Sequence, residues 1–185
     1  TLFFREPVPV QDASFNPLRI VVTYEVETGA DKTVAGGRAT LFNDNESLTV
    51  GVTAVEDDTL AAPGTLLAAD VTWKPTSHHT IKAELAGTQA ELAAGTSNDQ
   101  AWIVEHQFTS ERVDTRVRVE ETESGFGLAQ QASDDQDIRL AQAGVRYRIN
   151  DTVAVSGDTS RQQVPSTGNR RDLVESRVEY QQTDW

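Results

Sequence analysis

Three histidines and two groups of aspartates are the residues of this 185-residue chain whose types suit acid–base or metal chemistry. His78 and His79 are adjacent, so in an extended backbone their side chains leave opposite faces, and no third ligand lies near them in the sequence. A solvated turn is what that spacing supports. His106 falls on the apolar side of its segment beside the level of Phe108 and reads as an interfacial residue. Asp57 and Asp58, and Asp134, Asp135 and Asp137, carry hard oxygen ligands of the kind Ca²⁺ takes. Neither group has the EF-hand spacing with its Gly and terminal Glu, so solvated acidic loops are expected. Asp134, Asp135 and Asp137 are the nearest approach to a metal site, and a milder role for such loops is to meet divalent cations at a surface. A hydrolytic Ser–His arrangement would have to use His106 and Ser110, for which no third partner is evident. With no Cys there is no thiol chemistry and no thiolate metal site. No catalytic residue, resident metal or cofactor is therefore expected, and the chain reads as a non-enzyme.

The elements that carry these residues are strands. Apolar residues recur at every second position and no long segment has a 3.6-residue period, which is the pattern of half-buried β-structure. "LLAADVTWKPTSHHTIKAEL" (66–85) is an example: alternation up to Trp73, a polar turn, then alternation again. Turn signals divide the chain into about ten strands, at 17–26, 34–43, 47–56, 65–73, 80–89, 101–109, 113–121, 139–149, 152–162 and 173–181. The fold class is all-β, an antiparallel up-and-down meander, and most strands have about the 9 to 11 residues needed to cross a bilayer at a tilt. Connections alternate between short ("NDNE", "SER", "ND") and long ("AELAAGTSNDQ", "TESGFGLAQQASDDQDI", "QVPSTGNRRD"). In a meander this makes one end trim and the other shaggy, as in a transmembrane β-barrel. Gly36 and Gly37 inside a strand predict a bulge or bend. The sequons at Asn45 and Asn150 are short enough to arise by chance and carry no argument.

The two faces differ in kind. One carries Val52, Leu67, Val71, Leu85, Val104, Val117 and Val145 with their alternate neighbours; the other carries Lys82, Glu84, Glu105, Arg116, Arg118, Glu120, Arg146, Arg148, Glu175, Arg177 and Glu179. Apolar outward with a charged lumen is the barrel arrangement, whereas a soluble β-sandwich would turn the same apolar residues into a core. The aromatics separate the two. Trp73, Phe108, Tyr147 and Tyr180 fall at strand ends beside the short connections, where an interfacial girdle would lie, and not at mid-strand, where a core would hold them. A barrel of about ten strands is too narrow for a porin-sized channel, so the lumen charges are expected to pair and fill it. A narrow ion path is the sharper alternative.

Hydrophobic residues are 37% of the chain, and no apolar run approaches the length of a spanning helix. A net charge of −13 argues against a nucleic-acid partner. The start at Thr1, with no Met anywhere, suggests a mature form or an excised piece. "FFREPVPVQDASFNPLRIVVTYEVE" (3–27), with "GVRYRINDTVAVSGD" (144–158) and "RRDLVESRVEYQQTDW" (170–185), resembles the outer-membrane β-barrel region of very large repeat-containing bacterial surface proteins. The resemblance implies a lead-in segment over 1–16 and a barrel domain over 17–185, complete in itself or part of a larger barrel. It implies a place in the outer membrane of a Gram-negative bacterium and contact with its lipid and lipopolysaccharide. The implied role is that of anchor or scaffold for a covalently linked passenger. The alternative from another class is a soluble extracellular sandwich or adhesin module that binds through its long loops.

Overall fold

The computed structural model describes residues 33–58, 63–92, 95–128 and 137–181, and these form nine strands and no helix. In chain order they are β1 (Val34–Phe42), β2 (Leu48–Asp57), β3 (Gly64–Thr76), β4 (His79–Leu92), β5 (Gly95–Thr109), β6 (Val113–Thr122), β7 (Ile138–Arg148), β8 (Val153–Val164) and β9 (Asn169–Tyr180). Every strand pairs antiparallel with its neighbours in sequence, giving a single meander sheet in the order β1 to β9. The expected lead-in 1–16 and the expected strand 17–26 lie outside the described residues.

Period 2 fixes the faces, because each register keeps side chains of the same kind in line across the sheet. Val52 stands opposite Ala69, Ala69 opposite Leu85 and Leu85 opposite Trp102. One residue along, Asp70 stands opposite Glu84 and Lys82 opposite Glu105. No second sheet packs on the apolar face among the described residues, so the sandwich alternative lacks its other half. Among the described residues, the only buried hydrophobic side chains are Ala86 and Ala154.

Three expectations are corrected. The bulge lies between Trp73 and Thr76, while β1 pairs with β2 without interruption through Gly36 and Gly37. Gly36 is needed for closeness instead, since a Cβ there would come within 3.0 Å of the Ala54 carbonyl oxygen. The contrast of trim and shaggy ends shrinks, because residues assigned to long loops continue the ladder: β4 and β5 run on until Leu92 faces Gly95, and β8 and β9 until Val164 faces Asn169. Backbone groups in those polar stretches are satisfied by cross-strand pairing, which their composition does not advertise. Only the connection between β6 and β7, residues 123–137, remains long. Finally, the sheet is open among the described residues, where β1 and β9 each have one neighbour. Nine antiparallel strands leave β1 and β9 running the same way, so they cannot close on each other in antiparallel fashion.

Candidate functional site

The site is the pair of sheet faces taken together, and the charged face is the more sheltered one. Side chains of Glu105, Arg116 and Arg118 are 15%, 22% and 25% exposed, against 52% for Val52, 66% for Leu67 and 55% for Leu85 on the apolar face. This inverts the arrangement of a water-soluble sheet protein.

The expected lumen charges do share one face, and most are paired. Glu105 Oε2 accepts from Arg116 Nη2 at 2.9 Å and lies 3.6 Å from Arg118 Nη1, while Arg118 also holds Glu120 on its own strand. Arg148 donates to Asp114 at 2.7 Å and to the carbonyls of Ser110 and Glu111. Arg177 pairs with Glu175 at 3.0 Å. Lys82 and Glu84 stay exposed on the same face.

Two further pairs span a whole strand. Arg146 on β7 reaches Glu179 on β9 at 2.5 Å, passing β8 where Ala154 and Ser156 are small. Arg38 on β1 reaches Asp70 on β3 at 2.8 Å over Gly51 of β2, where an added Cβ would collide with both side chains. Adjacent strands lie about 4.8 Å apart, so each bridge crosses nearly 10 Å of sheet. Arg38, Asp70 and Asp114 were not among the expected lumen residues; their parity places them there, but their partners follow only from the register.

The β6–β7 connection closes over this face at one end. The Gln100 amide donates to Glu123 Oε2 at 2.7 Å, and the Ser124 amide donates to Asp137 Oδ1 at 2.8 Å. The Gly127 amide then donates to Thr88 Oγ1 at 3.2 Å, leaving Thr88 only 5% exposed. Leu128 reaches the level of Gly64 on β3. Asp137 is thus a capping group for this connection, while Asp134 and Asp135 lie outside the described residues.

On the apolar face Trp73, Phe108, Tyr147 and Tyr180 all stand at the short-turn end, with Trp73, Tyr147 and Tyr180 exposed. His78 and His79 do not diverge as the extended backbone predicts, since both border Phe108, with ring centroids 6.3 Å and 4.8 Å away. His78 Nδ1 lies 2.8 Å from the Thr109 carbonyl, and His79 stacks on His106 with Nδ1 3.0 Å from Nε2. That imidazole pair was invisible in the sequence because it depends on the β4–β5 register. No group of three metal-ligating side chains occurs among the described residues. A shallow apolar groove of about 810 Å³ crosses β1 to β5 between Ala39, Ala54, Leu67 and Leu85.

Comparison with known proteins found no matching family model, no significant match among curated proteins and none among solved structures.

Proposed function

We propose that this chain is the membrane-embedded β-region of a bacterial outer-membrane protein, turning its apolar face to lipid and its ion pairs to a closed interior. Its role is that of anchor or scaffold for a cell-surface passenger, not of a catalyst. The observation that carries this reading is the inversion of exposure on the middle strands: Leu67, Leu85 and Val104 are open, while Glu105, Arg116 and Arg118 on the opposite face are sheltered. Water penalises such a surface at roughly 25 cal/mol per Å² of apolar area, whereas hydrocarbon removes the penalty.

Three features support it. The apolar rows, such as 67–73, 102–108 and 141–147, are seven residues long, about 20 Å along a strand. Trp73, Phe108 and Tyr147 bound them at one end, while Glu56, Glu121 and Arg139, with Trp102 beside Glu121, bound them at the other. Among the described residues β1 and β9 are the edges of the sheet, and a closed barrel would pair the backbone groups along them. Antiparallel closure requires an even number of strands, one more than the nine described.

A conducting pore fits less well. Arg116, Arg118, Glu105 and Glu120 are tied together on the charged face, and residues 123–128 lie across it. The test is gel mobility before and after boiling, for chain refolded in plain buffer and in short-chain phosphatidylcholine vesicles. A heat-sensitive folded band only with lipid is expected; a folded monomer in plain buffer would refute the proposal.

A further inference from the structure

At the end away from Trp73, Phe108, Tyr147 and Tyr180, the apolar face ends in a patch that differs from the rest of its rim. Arg139 on β7 stands opposite Gln163 on β8, and Gln163 stands opposite Arg170 on β9. One step nearer the apolar rows, Arg161 stands between Ala141 and Asp172. Three guanidinium groups therefore lie on three adjacent strands, directly beside the aliphatic surface that ends at Ala141 and Val174. In register with Arg139, strands β6 to β2 carry Glu121, Trp102, Leu85, Ala69 and Val52, without a cation.

Two carboxylates share the patch. Arg139 Nη2 is 2.7 Å from Glu121, Arg161 Nε is 2.8 Å from Asp172 Oδ1, and Arg170 Nη2 is 2.5 Å from Asp172 Oδ2. Within these contacts three guanidinium groups meet two carboxylates, on a chain whose net charge is −13. The three arginines are 56%, 54% and 47% exposed, and each guanidinium has five N–H donors, more than these pairs occupy. Arginine favours phosphate through paired, charge-assisted hydrogen bonds.

We infer that Arg139, Arg161 and Arg170 form a binding site for the phosphate of a phosphorylated lipid, whose acyl chains lie on the aliphatic surface below. The site rests on the membrane reading above. Apolar surface on one side and cations on the other match an amphiphilic anion, and a soluble phosphate would use only half of that complementarity.

The test is native mass spectrometry of the full chain released from maltoside micelles that contain phosphatidic acid. The folded chain should retain phosphatidic acid in preference to diacylglycerol, and inorganic phosphate should not displace it. Each of R139Q, R161Q and R170Q should weaken retention about fivefold, and the triple variant on the order of a hundredfold. E121Q with D172N, which removes the competing carboxylates, should strengthen it. Undiminished binding by a triple variant that still shows the heat-sensitive folded band would overturn the site and leave the membrane reading intact. Displacement by inorganic phosphate would overturn it in favour of a soluble-anion site. Weaker binding by the carboxylate variant would overturn it in favour of bridging divalent cations. A folded monomer in plain buffer would remove the membrane reading and the site together.

Discussion

Arg146 and Glu179 meet at 2.5 Å although β8 runs between their strands, and the residue beneath that bridge is Ala154, 7% exposed. The contact exists because a methyl group leaves room for it. Ala154→Leu should therefore overpack the charged face and part the pair, lowering stability by about 1–3 kcal/mol. Ala143→Leu, on the exposed apolar face of β7, adds the same atoms where the account places lipid. That variant should be neutral or slightly stabilising in vesicles, and urea titrations of both in lipid check the contrast.

Glu105 serves two arginines at 15% exposure, whereas Glu175 and its single partner Arg177 are more than half exposed. Removing a carboxylate that leaves sheltered cations behind costs more than breaking a solvated pair. Glu105→Gln should cost about 1–3 kcal/mol and Glu175→Gln less than about 0.5 kcal/mol, as read from denaturation midpoints. Equal effects would mean that both pairs are solvated.

The buried Thr88 hydroxyl accepts from the Gly127 amide and donates to the Asp99 carbonyl, 3.5 Å away. Thr88→Val keeps the shape and removes both bonds, leaving a buried amide without its acceptor at a cost of about 1–3 kcal/mol. Exchange of the amides of residues 124–128 should accelerate in the variant while the β7–β8 ladder keeps its protection. No change in exchange would show that this connection is held by its other contacts.

Strand positions were legible because alternation needs only local sequence. The expected strands at 34–43, 47–56, 113–121 and 139–149 differ from β1, β2, β6 and β7 by one residue or less at each end. Shared parity likewise put Arg116, Arg118, Arg146 and Glu179 on one face before any pairing was known. Partners were not legible, since Arg38 meets Asp70 and His79 meets His106 only through registers that no local pattern encodes. Nor was the path of residues 123–128, whose Gly125 and Gly127 take positive φ values of 88° and 126°. Those glycines permit a turn without stating that it folds over Thr88. The ends of β4 and β5 were missed because polar residues in a hairpin extension look like a loop.

Apolar rows of about 20 Å along the strand favour a thin bilayer, since each ångström of mismatch carries a cost. Folding yield should be higher in vesicles of twelve-carbon than of eighteen-carbon phosphatidylcholine, measured by the heat-sensitive gel band. A preference for the thicker bilayer would contradict the assignment of these rows to the membrane.

The absence of native cysteine allows the central claim to be tested residue by residue. Single cysteines at Val117 and Val145 on the apolar face, and at Gln142 and Ser160 on the charged face, would each carry a fluorophore in vesicle-refolded protein, with a quencher attached to the lipid chains. Strong quenching at 117 and 145 with little at 142 and 160 is the result predicted for an outward apolar face in hydrocarbon. Equal quenching at all four, or stronger quenching at 142 and 160, would contradict it.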